Sequence, residues 1–185
     1  MHDFQPEQYG PKFAELLSID RCRPLDEGQA DRAAWDALSA MSPKTTFEPA
    51  AVADRTMAQA CLSGVWLLYD YLDDSHNISQ GISGPTGSFW HGIMHRREGD
   101  FSNAKYWFRN VGYHPVYEPL ARVAEQLADQ FDAAGVLPAG NWDAMAFVDA
   151  CQQAVRRNTH AEFCRAVQQA EWELLFDHCY QQAIQ

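Results

Sequence analysis

The sequence predicts an all-α fold, a single-domain bundle of antiparallel helical hairpins, and three observations carry that prediction. Apolar residues recur at spacings of three and four along most of the chain. No stretch holds the period-two alternation of a strand, and the gaps between apolar stripes carry the Gly, Pro and Asn residues that stop helices. Seven or eight helices account for the pattern. At 185 residues with 46% hydrophobic content, the chain has enough apolar material for one domain with a real core.

The segment 1–26 is loosely patterned, broken by Pro6, Pro11 and Pro24, and only Pro11 to Leu17 reads as a short helix with proline tolerated in its first turn. A helix from about Glu27 to Met41 follows, with Ala30, Ala33, Ala34, Ala37 and Leu38 beside Trp35, and ends before Ser42-Pro43. Residues 44–49 are a connector. The most apolar helix spans about Ala50 to Leu72, where Cys61, Leu62, Val65, Trp66, Leu67, Leu68 and Tyr69 cover most of the circumference, as in a central helix touched on several sides. Asp70 interrupts it. Its carboxylate either pairs with an arginine downstream or reaches water at a helix end, since a buried unpaired charge is costly. Asp73, Asp74 and His76 add ligands only if the chain folds back onto the helix that carries His91. Residues 75–88, rich in Gly, Ser and Asn, read as a connector in which a rim or anion-holding loop is the sharper alternative.

The segment from Trp90 to Pro115 reads as helix, tight turn, helix. Gly99 suits a left-handed cap, Asp100 caps the second helix with Asn103 placed to complete a capping box, and Phe101, Ala104, Phe108 and Val111 form a buried stripe ended by Gly112 and Pro115. Three helices then complete the bundle. The first runs from Tyr117 to Ala134 and stops at Gly135. The second is capped by Asn141 and runs to about Arg157. The last opens with a Thr159–Glu162 capping box and runs to near Gln182. His160 and His178 read as surface or interface residues.

The spacing of Gly92, Gly99, Ala104 and Phe108 with Pro115 just beyond resembles one tetratricopeptide-type hairpin, whose small residues let two helices approach and whose aromatic fills the groove; no second copy at that period is present. The string His95-Arg96-Arg97-Glu98-Gly99-Asp100 followed by Asn103-Ala104-Lys105-Tyr106-Trp107-Phe108-Arg109 resembles a family of uncharacterised bacterial and fungal proteins, a resemblance that implies no activity.

The same stretch concentrates the chemistry. At about 100° per residue His91, His95 and Glu98 share one helix face, and two imidazoles with one carboxylate are a ligand set for a divalent metal such as zinc or non-haem iron. Gly92 stands where zinc proteases place their general-base glutamate. The structural alternative packs the histidines at a helix interface and pairs Glu98 with Arg96, Arg97, Lys105 or Arg109. From Trp90 to Pro115 the chain carries four basic and two acidic residues, against 10 and 23 elsewhere. A locally positive hairpin in an acidic protein suits a small anionic molecule bound by Arg96, Asn103, Lys105, Trp107 and Arg109, and it suits internal ion pairs equally.

A net charge of −11 and a pI near 4.9 argue against nucleic acid as a partner. With no apolar signal region and no run long enough to span a bilayer, a soluble cytoplasmic protein without a membrane partner is expected. Five cysteines with no Cys-x-x-Cys pair read as reduced, mostly buried thiols; only Cys164, four residues after His160, has a sequence-local base. Three functional readings follow: a protein that binds a small anionic ligand on the 90–115 hairpin, a metal-dependent enzyme using His91, His95 and Glu98, and a helical interaction module with no catalytic site.

Overall fold

A computed structural model describes residues 4–185, which form ten α-helices and two short 3-10 helices and, among the described residues, no strand. In chain order the helices are α1 (Pro11–Leu17), α2 (Trp35–Ser39), α3 (Pro43–Thr46), α4 (Arg55–Leu68), α5 (Leu72–Ser79), α6 (Pro85–Glu98), α7 (Phe101–Val111), α8 (Tyr117–Gln130), α9 (Ala144–Arg157) and α10 (Ala161–Ile184). The all-α expectation holds. No helix of the described residues is long and apolar enough to cross a membrane.

The core is built on α4, α6 and α10. Helix α4 packs on α10, α5 and α6, while α6 also packs on α5 and α7. Close approach depends on two glycines. A Cβ at Gly64 would lie 2.7 Å from the Trp90 ring, and one at Gly92 would lie 3.0 Å from Phe108, so the aromatics of one helix sit directly on the backbone of its neighbour. The Gly64 carbonyl also accepts the indole N–H of Trp172 at 2.9 Å, tying α10 to α4. Gly99 takes the left-handed conformation (φ 84°) and Asp100 accepts the Asn103 backbone N–H at 3.1 Å, as the sequence anticipates, but the capping box is not completed, because the Asp100 N–H goes to the His95 carbonyl and the Asn103 side chain turns to the His95 ring.

Several boundaries differ, each for an identifiable reason. The central helix stops at Leu68, because Asp70 turns the chain through the left-handed region (φ 62°) and α5 begins two residues later. Asp70 is 5% exposed and held by Arg97, at 2.6 Å, and by Arg23, so the paired alternative is the one realised. Much of the 75–88 segment is helical. Ser75, Ser79 and Ser88 turn inward, Ser75 bonding to Ser63 of α4 at 3.0 Å, and only residues 80–84 connect α5 to α6. The 27–41 helix shrinks to a 3-10 turn and α2, because an alanine stripe offers little surface to bury. Asp143 rather than Asn141 caps α9, and His160 rather than Thr159 sits at the N-cap of α10 with no side-chain cap. Residues 1–3 of the segment read as loosely structured lie outside the described residues, and from Phe4 onward it is packed. Tyr9 donates to Asp177 at 3.0 Å, and Phe13 meets Phe47 and Phe176 edge-on. Its aromatics fill separate gaps, so they follow no helical period.

The most buried charges join α6 to α10. Arg96 and Glu171 are fully enclosed, paired through both guanidinium Nη atoms, one contact being 3.2 Å, with Phe147 under the guanidinium at 4.5 Å from its centroid. Removing one partner leaves an uncompensated buried charge. Glu171→Ala is therefore expected to cost about 3–5 kcal/mol in urea denaturation, and replacing both residues with apolar ones of similar volume is expected to recover most of that loss. Gly64→Ala, which drives a methyl into Trp90, is expected to cost about 1–3 kcal/mol in the same measurement.

Candidate metal centre

Helix α5 lies against α6, and this puts the His76 ring beside those of His91 and His95. His91 and His95 are one turn apart and face the same side. One ring nitrogen from each of the three histidines falls within 4.8 Å of the others. Ring centroids are 4.4 Å apart for His76 and His91, 4.8 Å for His91 and His95, and 5.5 Å for His76 and His95. His91 is 1% exposed and His95 7%, while His76 is half-buried and forms the open side. Trp107 of α7 covers His91, with ring centroids 4.0 Å apart.

A second layer of hydrogen bonds holds these rings. Ser79 Oγ lies 3.1 Å from Nδ1 of His91 and donates to the His76 carbonyl at 3.2 Å. Glu98 Oε2 lies 2.7 Å from Nδ1 of His95, and the Asn103 side-chain nitrogen lies 3.0 Å from its Nε2. Burial, followed by the neighbouring His76 and His95, lowers the His91 pKa to about 3. At neutral pH its imidazole is therefore uncharged, the form that binds metals.

Among the residues singled out from sequence, His91 and His95 come together as expected. Glu98 occupies the predicted face but bonds to His95, and the third member of the cluster is His76. The chain does fold back on the His91 helix there. What obscured His76 was the polar composition of α5, whose buried residues include two serines and read as loop. Asn103 and Trp107 line the cluster from α7. The cations do not. Arg96 faces Glu171 and Gln168, Arg97 faces Asp70 and the Asp26 carbonyl, and Lys105 pairs with Asp149 on α9. Arg109 is exposed, about 200° around α7 from Trp107 and so on its opposite side. No protein-family model, curated protein or solved structure matches this chain.

A second imidazole pair, His114 and His178, sits at 4.9 Å between centroids. His114 is buried between Thr86 Oγ1, 3.2 Å from Nε2, and the Val116 backbone N–H, which donates to Nδ1 at 3.3 Å. Burial, then His178, lowers its pKa to about 4. In the unfolded chain His91 and His114 take up protons near pH ~6.5, well before they do in the fold. The unfolded state thus binds more protons on acidification, and stability is lost as pH falls from the unfolded value toward the folded ones. The urea midpoint of chelator-treated protein is expected to fall between about pH 7 and about pH 5, before most carboxylates titrate.

Proposed function

We propose that this protein is a metal-dependent enzyme whose divalent ion is held by His76, His91 and His95. The observation that carries the reading is the convergence of three imidazole nitrogens, from two helices, within 4.8 Å of one another. Three neutral ligands are a known set for catalytic zinc and leave a position for water or substrate, while imidazole also suits iron, copper and nickel. Ligand bonds near ~2 Å bring such nitrogens closer together than 4.8 Å, so loading the site draws the rings inward by about 1 Å. His76, on the half-buried side, has the most room to move.

The chemistry such an ion supplies is Lewis-acid activation of water or a substrate oxygen. Asn103 against His95 and Trp107 against His91 wall this space from α7. The neighbouring carboxylates, Glu98 and the capping Asp100, are negative, whereas Arg96, Arg97 and Lys105 are each matched by an acidic partner elsewhere. That distribution favours an uncharged substrate over a phosphate or carboxylate, and it is why the metal reading is preferred to an anion pocket on the same hairpin.

Elemental analysis of tag-free protein tests this directly. About one zinc or iron per chain is expected in the wild type and little in His91→Ala or His76→Ala, with the helical circular dichroism retained. Failure of the wild type to bind zinc or ferrous ion, even when reconstituted after chelation, would remove the reading.

A further inference from the structure

The hydrogen bonds behind His91 and His95 determine which nitrogen each ring offers. Ser79 has a single hydroxyl proton. The His76 carbonyl, 3.2 Å away, can only accept, so that contact is a hydrogen bond when the proton points to it. In that arrangement, which satisfies both contacts, the Ser79 oxygen meets Nδ1 of His91 with a lone pair and accepts the Nδ1–H at 3.1 Å. Nε2 of His91 is left with its lone pair. At His95 a carboxylate has the same effect. Ionised Glu98 accepts only, so the 2.7 Å contact places the proton on Nδ1. In the neutral ring Nε2 again keeps its lone pair; the Asn103 amide nitrogen, 3.0 Å from Nε2 and 3.4 Å from Nδ1, lies against the ring and not in line with that lone pair.

Two unlike groups, a hydroxyl on α5 and a carboxylate at the end of α6, thus impose one tautomer on two rings a turn apart. The Ser79–His91 contact also links α5 to α6 at the cluster, while the bond to the His76 carbonyl fixes the hydroxyl within α5. Glu98 is half-exposed, with 48% of its side chain accessible, and its charge makes the bonded imidazole a more basic ligand.

We infer that Ser79 and Glu98 are positioning residues that hold His91 and His95 as Nδ1–H tautomers, so that both present Nε2 to a divalent metal. This inference rests on the metal reading above and refines it. Glu98 acts through His95 and is not itself a ligand.

Two measurements separate the inference from the reading beneath it. In chelator-treated protein, long-range proton–nitrogen correlation spectra of the histidine rings are expected to show Nδ1–H tautomers at His91 and His95; Nε2–H at either ring would overturn the assignment, whatever the metal does. In zinc titrations, Glu98→Ala and Ser79→Ala are expected to weaken binding about 10- to 100-fold. Glu98→Gln should recover part of the loss, since its amide oxygen still accepts from Nδ1. Should Ser79→Ala fail to fold, Glu98→Ala, at a half-exposed position, and Ser79→Thr carry the test. If wild type and both alanine variants bind zinc equally, the positioning roles fall while the metal centre stands. If the wild type binds none, the metal centre falls and the ring spectra still report whether the tautomers are set as described.

Discussion

Helix α6 is buried from Thr86 to Arg97, yet half of its side chains there are polar or charged, and the rest of the fold is arranged to satisfy them. An apolar helix in that position would need only shape. This one needs a partner in every direction, because an unpaired buried cation or imidazole costs far more than a packing gap. Arg96 points to α10, where Glu171 and Gln168 receive it. Arg97 points to the α4–α5 turn and takes Asp70 together with the backbone carbonyl of Asp26. His91 and His95 point to α5 and α7. Each direction recruits a different element, and together they set how those elements lie around the helix.

The consequence for energetics is asymmetric. A buried ion pair contributes little net stability, since desolvation of both charges offsets their attraction, but breaking one side of it is severe. The pairs therefore act as constraints on arrangement. Gly28 shows how tight the constraint is: a Cβ there would lie 2.7 Å from the Asp70 carboxylate, so the loop before α2 can close over the Arg97–Asp70–Arg23 group only as glycine. A further aromatic layer, with Trp90 on Gly64 and Phe108 on Gly92, fills the space between these polar contacts.

This organisation explains what could be read from the sequence and what could not. Helical periodicity, the Gly99 cap and the Asp100 cap are local, set by residues within one turn of each other, and they were legible. The partners of Arg96, Arg97 and Lys105 lie 75, 27 and 44 residues away, so sequence could weigh ion pairs against an anion site but could not choose. His76 was harder still. It sits among Asp73, Asp74, Ser75, Asn77 and Ser79, and inward-facing serines that bond one another across helices look, in sequence, like the polar residues of a loop. The early N-terminal aromatics failed for a related reason, since Tyr9 and Phe13 pack against α10 more than 150 residues on, where no local pattern registers them.

Once the cations are assigned to the core, the polar density of the 90–115 hairpin separates into two chemically different faces. One face of α6 carries fixed positive charge and is neutralised by glutamate and aspartate at contact distance. The opposite face carries three imidazoles, counting His76 across the helix interface, and no fixed charge of its own except Glu98, which is turned onto His95. Imidazoles gathered this way repel when protonated, so burial and mutual proximity keep the innermost of them neutral. With three ring nitrogens gathered within 4.8 Å and the innermost ring neutral, the space between them is dominated by imidazole nitrogen. The contacts of Ser79 with His91 and of Glu98 with His95 then fix how two of these rings are turned toward one another, which is the orienting part that outer hydrogen bonds play at imidazole clusters.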